Sequence, residues 1–263
     1  MNNMKITSLA ENTTLNDNIK AEHGLSLYIE THNHKILFDM GQTDLFAINA
    51  EKLGINLAEV DVAVVSHGHY DHGGGLKKFL QINNQAPVYI NSFAFGDYFN
   101  GTEKYIGLDK SLKDNDRLVF TENQLQIDEN LSLFSCNTLK RNFDTGSFGL
   151  TEFTDNKHIP DRFLHEQYLL IKENGKNILI SGCSHKGILN IAEWFCPDVL
   201  VGGFHFSKLP LDETLVSYCK ILNKFNTVFY TCHCTGTEQY EFMKKHMPHL
   251  YYLPCGKTIS GDL

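Results

Sequence analysis

The stretch that most restricts the fold is VDVAVVSHGHYDHGGG, which spans residues 60–75. Its first six residues are apolar apart from one aspartate and predict a buried strand. Three histidines and an aspartate follow, and the stretch ends in three glycines. In an extended chain the side chains alternate between two faces, so residues 67, 69 and 71 would share one face. His72 would need a turn to join them, and the glycines permit such a turn and a close approach of the backbone.

Four side chains of this stretch are candidate metal ligands: His67, His69, Asp71 and His72. Imidazole and carboxylate groups together suit Zn²⁺, with Mn²⁺ and Fe²⁺ as alternatives. The opposing interpretation is a run of surface histidines without a function. A buried strand before the cluster and three glycines after it are not typical of such a run. We therefore predict one or two divalent metal ions, with zinc as the first choice.

The pattern of predicted elements changes at Ser181. Before it, short β-rich runs joined by turns predict strands, including three within residues 4–41. After it, a helix separates each strand from the next. This order predicts an α/β fold (an α+β sandwich) in which two mixed sheets are flanked by helices, as one domain spanning residues 1–263.

Three later segments carry more specific predictions. Residues 118–123 are expected to form a strand in an antiparallel arrangement, and residues 250–259 a single last strand. The polar, glycine-dotted stretch of residues 137–166 predicts a long loop, and loops of that length within a domain are usually functional or mobile.

Composition narrows the function classes. The formal net charge of −8 argues against nonspecific binding of nucleic acid. No segment approaches the roughly 20 apolar residues of a transmembrane helix, and the N-terminal residues lack the apolar core of a secretory signal. Seven cysteines without a CxxC pair agree with reduced thiols. We therefore expect a cytoplasmic protein with a small-molecule substrate and no membrane or nucleic-acid partner; the oligomeric state stays open.

The segment HGHYDH matches the HxHxDH signature of the metallo-β-lactamase fold superfamily. Four further blocks, AEHGLSLYIE, SGCSHKGILN, GGFH and HCTG, resemble those of one subfamily of metal-dependent hydrolases, so the resemblance covers nearly the whole chain. Some members of that subfamily are similar to dihydropterin ribofuranosyl-aminobenzene phosphate synthase. The resemblance implies an αββα fold and a reaction that uses a metal-activated water.

The resemblance also implies which residues bind the metals, with one histidine from each of the GCSH and HCTG blocks. The ligands of the first metal would be His67, His69 and His185. The ligands of the second metal would be Asp71, His72 and His233. A structural role remains the alternative for the last histidine of each set. Asp71 would have a second duty, as a catalytic partner of the nucleophilic water.

One position departs from the family pattern. Cys183 stands where many members have an aspartate that bridges the two metals. Its thiol could be a ligand, could support the ligands from behind or could simply pack, and we favour the second. His205 is a candidate catalytic acid, ligand or substrate contact, and His23 is a candidate substrate contact, with a structural role as the alternative for both. His165 and Glu166 are reserve ligands.

The stretch of residues 137–166 also carries candidate substrate contacts. Lys140, Arg141 and Arg162 would bind a phosphate or another anion, and the neighbouring phenylalanines would contact a planar ring. The alternative is a solvated loop that its aromatic residues pack down. We therefore predict a metal-dependent hydrolase of a small ester, foremost a phosphoester or another anionic substrate. The alternatives are a di-iron oxidoreductase-type centre, a pterin-pathway synthase-like activity and a noncatalytic binding protein.

Overall fold

Two seven-stranded mixed sheets pack face to face in the structure, a computed structural model that describes residues 4–15 and 17–261. The remaining residues of the predicted domain lie outside the described part. In spatial order, the strands of the first sheet are β18 (Thr258–Ser260), β1 (Lys5–Ala10), β2 (Ser26–Glu30), β3 (Lys35–Phe38), β4 (Val62–Val65), β5 (Val88–Asn91) and β8 (Leu118–Thr121). The β18–β1–β2–β3 pairings are antiparallel, and the β3–β4–β5–β8 pairings are parallel.

The second sheet is built mainly from the later part of the chain. In spatial order, its strands are β17 (Leu250–Tyr252), β16 (Val228–Thr231), β15 (Val199–Gly202), β14 (Lys176–Ile180), β13 (Tyr168–Glu173), β10 (Leu131–Phe134) and β9 (Gln124–Gln126). The pairings from β14 to β17 are parallel, and those from β9 to β14 are antiparallel.

Helices cover the outer faces of both sheets. The helices are α1 (Leu45–Lys52), α2 (Tyr70–Gly73), α3 (Leu76–Ile82), α4 (Ile188–Phe195), α5 (Glu213–Leu222) and α6 (Thr237–Lys244). Short 3₁₀ turns lie at Leu57–Glu59, Lys110–Leu112 and His233–Thr235. In β4, Val62 and Val64 pack into the core between the sheets, whereas Ala63 and Val65 pack with residues of α1 and α3. This strand alternation gives the helix–sheet–sheet–helix order, which confirms the predicted αββα fold.

A third, four-stranded sheet was missed by the sequence analysis. Its strands, in spatial order, are β12 (Lys157–Pro160), β11 (Leu150–Thr154), β6 (Tyr98–Asn100) and β7 (Lys104–Tyr105). The prediction of one long loop over residues 137–166 is therefore wrong, because part of it forms the β11–β12 hairpin. The pairing partner β6 lies about fifty residues earlier in the chain, so no local pattern reveals it.

Two strand predictions also need correction. The segment at residues 118–121 pairs in parallel with β5, not in an antiparallel arrangement. The predicted last strand is two strands, β17 and β18, in different sheets. Pro254 lies between them and has no N–H for a ladder, and Gly256 has a φ of 84° at the crossing. None of the helices in the described ranges is both long and apolar enough to span a bilayer.

Candidate metal centre

The HGHYDH segment folds as a strand end followed by one helical turn. The strand β4 ends at Val65, and α2 begins at Tyr70, with His69 at its N-cap in an extended conformation. The prediction that residues 67, 69 and 71 share one face of an extended strand is therefore wrong: a helical turn brings Asp71 and His72 to the site. The glycines act as predicted, because a Cβ atom on Gly74 would lie 2.3 Å from the carbonyl oxygen of Gln42.

The predicted ligands of the first metal meet in the structure. The Nε2 atoms of His67 and His185 lie 3.2 Å apart. The ring centroid of His69 is 4.6 Å from that of His67 and 5.0 Å from that of His185. All three side chains are buried. We call these three residues the first ligand set.

The predicted ligands of the second metal also meet, and we call them the second ligand set. The Nε2 atoms of His72 and His233 lie 3.2 Å apart. One carboxylate oxygen of Asp71, Oδ2, is 3.3 Å from His233 Nε2 and 3.8 Å from His72 Nε2. His23, predicted as a substrate contact, adds its Nε2 atom 3.2 Å from the same oxygen. Its side chain is 55% exposed, so it reaches from this set to solvent.

Cys183 lies among the donor atoms of both sets. Its Sγ atom is 3.1 Å from Nε2 of His72. It groups with His67 and His185 on one side and with His72 and His233 on the other, all donor atoms of each group lying within 4.8 Å of one another. The geometry therefore favours a ligand role over the supporting role expected from the sequence.

A buried carboxylate that the sequence analysis missed connects the two sets from behind. Asp39 Oδ2 lies 2.6 Å from Nδ1 of His72 and accepts a hydrogen bond of 2.7 Å from the Ser66 hydroxyl. That hydroxyl lies 2.8 Å from Nδ1 of His67. Partners of this kind fix the tautomer and orientation of a ligating histidine. Asp39 therefore orients one imidazole of each set with its Nε2 atom toward the site.

Other support comes from residues next to the ligands in space. The backbone N–H of His233 donates to Glu11, and its Nδ1 atom lies 2.7 Å from Asn12 Oδ1. Glu166, predicted as a reserve ligand, accepts hydrogen bonds from the backbone N–H groups of His185 (2.6 Å) and Lys186 (3.0 Å). Its carboxylate therefore holds the His185 loop in place.

The other reserve ligand, His165, is fully buried beside the first set. Its Nδ1 atom accepts a hydrogen bond of 2.9 Å from the backbone N–H of Gly68, and its Nε2 atom lies 3.2 Å from Asp161 Oδ2. Asp161, which the sequence analysis did not single out, is also 3.8 Å from Nε2 of His69. Both ring nitrogens of His165 thus have protein partners, which favours a positioning role.

The two sets differ in protonation. Burial and neighbouring imidazoles hold the pKa of His67 and His185 well below its usual value, so both rings are neutral near pH 7. Burial lowers the pKa of His72, but the carboxylates of Asp39 and Asp71 outweigh it and raise the pKa to about 9. Burial likewise opposes ionisation of Asp71, but neighbouring imidazoles hold its pKa well below the usual value.

These donors fit a divalent ion such as zinc. With Zn–N bonds of about 2.0–2.1 Å in tetrahedral geometry, two ligand nitrogens lie about 3.3 Å apart. The Nε2 pairs of His67 with His185 and of His72 with His233 are both 3.2 Å apart. Among the described residues, Nε2 of the predicted ligand His69 is a buried atom without a hydrogen-bond partner. The His67–His185 and His72–His233 pairs therefore have the donor chemistry and spacing of a metal site.

A cavity of about 250 Å³ opens onto both ligand sets. Its lining includes His23, His205 and two lysines, Lys104 and Lys208, that the sequence analysis missed. His205 lies beside the first set, with its ring centroid 4.4 Å from that of His185. The lysines are exposed at the cavity. Lys208 lies three residues after His205, so its place in the sequence could have indicated it, whereas Lys104 is far from every ligand block.

The three loop cations predicted to bind substrate do not line this cavity. Arg141 and Arg162 line a separate groove of about 620 Å³, which reaches His185 from its other side. Arg162 forms an ion pair with Glu152, and Arg141 donates a hydrogen bond of 2.7 Å to the carbonyl oxygen of Arg162. Lys140 is exposed and lines neither. The loop cations thus lie apart from the cavity that contains the metal donors.

The chain aligns over nearly its whole length with two proteins of Methanocaldococcus jannaschii. The chain is 30% identical over 251 residues to an uncharacterized protein of Methanocaldococcus jannaschii, an alignment covering 91% of this chain and 94% of that protein. It is 28% identical over 289 residues to 7,8-dihydropterin-6-methyl-4-(beta-D-ribofuranosyl)-aminobenzene-5'-phosphate synthase of the same organism, covering 99% and 97% of the two chains.

A solved structure described as a metal-dependent hydrolase of the beta-lactamase superfamily superposes with a TM-score of 0.83 at 29% identity, covering 97% of this chain and 98% of that chain. The family model for the metallo-beta-lactamase superfamily matches residues 19–185, which include the HxHxDH segment and His185. The predicted resemblance is thus confirmed, and the chain belongs to the metallo-beta-lactamase superfamily.

Proposed function

We propose that this protein is a metal-dependent hydrolase of a small anionic ester, foremost a phosphoester. One observation carries the proposal: residues of both ligand sets and two lysines line the same cavity. The proposed metal is zinc, held by His67, His69 and His185 in one set and by Asp71, His72 and His233 in the other. A bound divalent ion supplies a water molecule of lowered pKa at neutral pH.

The side chains around the cavity support proton transfer. The low pKa of Asp71 keeps it ionised near neutral pH, so its carboxylate can accept a hydrogen bond from a water molecule. Its hydrogen bond to His23 raises the pKa of that imidazole, which is half-exposed and can exchange protons with solvent. His205 also lines the cavity, where its imidazole would act as a metal ligand rather than as the acid for the leaving group.

The cavity favours a small anion. Lys104 and Lys208 are its lining cations, and lysine ammonium groups bind phosphate as point charges. A volume of about 250 Å³ is slightly below the range of roughly 300–1,000 Å³ for sites that take drug-sized ligands. These features support a small-molecule substrate rather than nucleic acid. All seven thiols are free, which supports a reducing, cytoplasmic location.

A metal-reconstitution assay tests the proposal. Protein stripped by a chelator and then loaded with zinc is incubated with bis-p-nitrophenyl phosphate and with p-nitrophenyl esters that lack phosphate. We expect zinc-dependent release of p-nitrophenol from the phosphoester, and loss of that activity in His69→Ala. An Arg141→Ala control, altered in the separate groove, should retain it. Zinc-loaded protein that turns over none of these esters would contradict the proposal.

The relative from Methanocaldococcus jannaschii supports a second candidate. That protein is a synthase whose named product bears a phosphate, and it aligns with 99% of this chain. We therefore hold a pterin-pathway synthase-like reaction as the alternative, with the same lysines binding the phosphate. Formation of the relative's named product by the zinc-loaded protein, together with no ester hydrolysis, would favour the synthase.

A further inference from the structure

A third group of donor atoms lies next to the two ligand sets and is a different combination of residues from either set. Cys183, His205 and Cys234 each offer a donor atom, and these atoms lie within 4.8 Å of one another. They follow β14, β15 and β16, three neighbouring parallel strands. Parallel strands end at the same edge of a sheet, so the topology itself brings two thiols and one imidazole together.

The surrounding backbone is shaped to receive the Cys234 sulfur. A Cβ atom at Gly203 would lie 2.3 Å from Cys234 Sγ, so the absence of a side chain there makes the space. The backbone N–H of His205 donates a hydrogen bond of 3.3 Å to the same sulfur. Hydrogen bonds to the sulfur also tune the cysteine ligands of iron–sulfur clusters.

Two further features point to a ligand at this position. Nδ1 of His205 is a buried atom without a hydrogen-bond partner among the described residues, and the His205 donor atom lies within 4.8 Å of both sulfurs. The side chains of Cys183 and Cys234 are buried and line the cavity that the first two sets also line. An ion could therefore reach the sulfurs through the cavity.

We infer that Cys183, His205 and Cys234 form a sulfur-bearing metal subsite in which Cys234 is a thiolate ligand. Two sulfurs and one nitrogen are a soft donor set, which selects zinc over magnesium or manganese. Three protein ligands leave a fourth position of a tetrahedral ion for water or substrate. Because Cys183 also lies among the donors of the other two sets, its sulfur links this subsite to them.

Cobalt substitution tests the subsite without reference to activity. Co²⁺ is added to the metal-free full-length chain, and thiolate-to-cobalt charge-transfer absorption is measured in the near ultraviolet. The variants are Cys234→Ser, Cys183→Ser and their combination, with Cys196→Ser as the control because Cys196 is an exposed thiol. We expect an absorption band in the wild type, about half of it in Cys234→Ser, and an unchanged band in the control.

Cys183→Ser is the decisive variant, because Cys234 is then the remaining thiol of the subsite. A residual band in this variant, lost in the double variant, supports the inference. Equal bands in Cys234→Ser and wild type overturn it, and so does a wild type without any band. If circular dichroism shows that one variant does not fold, zinc X-ray absorption of the other variant decides. In Cys183→Ser, a shell of sulfur neighbours at about 2.3 Å from zinc must remain. In Cys234→Ser, the number of sulfur neighbours in that shell must fall by about half.

Discussion

Replacing Asp39 with asparagine should weaken the hydrogen bonds that hold one histidine of each ligand set in place. The Asp39 carboxylate is fully buried and accepts two hydrogen bonds of 2.7 Å, from the N–H and the hydroxyl of Ser66. It also lies 2.6 Å from Nδ1 of His72. An asparagine amide nitrogen in place of one oxygen would set a donor against the donor groups that now face the carboxylate.

The size of the effect depends on pH. Loss of a partner behind a metal-binding histidine typically lowers metal affinity by about 10- to 100-fold, or roughly 1.4–2.7 kcal/mol. In the wild type, His72 has a pKa of about 9, so at pH 7 a metal must displace its proton. That competition lowers the apparent affinity by about tenfold for each pH unit below the pKa.

The Asp39 carboxylate is the largest of the causes that raise the pKa of His72. Asp39→Asn should therefore lower that pKa and weaken the competition from protons. Two effects then oppose each other near pH 7. The variant loses the support of the ligand, but a smaller fraction of its His72 is protonated and competes with the metal. Above pH 9 only the loss of support remains. We expect the full 10- to 100-fold loss at pH 9.5 and a smaller difference at pH 7.

A competition titration with a chromophoric zinc chelator, run at both pH values, measures these affinities. Asp61→Asn is a matched control, because Asp61 also pairs with a histidine but is half-exposed and lies before β4 rather than near the centre. Zinc affinity of Asp39→Asn within about twofold of the wild type at pH 9.5 would refute the reasoning. An equal loss at both pH values would refute the proposed proton linkage.

Three further predictions follow from the site. Lys104→Ala and Lys208→Ala should each raise KM for an anionic ester by about two- to fivefold, the range for exposed charge pairs, while Arg141→Ala leaves KM unchanged in steady-state assays. Removal of the metal by a chelator should lower the Tm in a thermal-shift assay, because an ion at 1,000 times its Kd stabilises the fold by about 4 kcal/mol. Added zinc should restore the Tm. Glu166→Gln should lower the free energy of unfolding in urea by about 1.5–3 kcal/mol through weaker bonds to the His185 loop; an unchanged urea midpoint would contradict this.

The αββα fold and the meeting of the ligand sets were predictable because their signals are local. A short motif after an apolar strand marked His67 to His72, and histidines at other strand ends marked His185 and His233. Strand ends converge in sheets of this kind, so sequence alone could bring these residues together. The resemblance to a known superfamily supplied the order of the ligands along the chain.

The supporting residues and Lys104 had no local signal in the sequence. Asp39 sits in an ordinary strand-end sequence, LFDMG, and its importance comes from contacts with Ser66 and His72 about thirty residues later. The position of the loop arginines also depends on contacts that are distant in the sequence. Their charges suggested a phosphate site, but the β11–β12 hairpin places Arg162 against Glu152 and away from the cavity.

The charges of the proposed centre connect the metal ligands with the substrate. Two divalent ions held by the first two sets, Cys183 and Cys234 would meet three anionic ligands, the Asp71 carboxylate and the two thiolates, since the histidine ligands bind as neutral imidazoles. The centre would therefore keep a net positive charge after the ions bind. Lys104 and Lys208 add to it at the same cavity. A centre of this charge attracts anions and stabilises negative charge that develops in a transition state, so the ligand chemistry and the cavity cations both agree with the proposed anionic substrate.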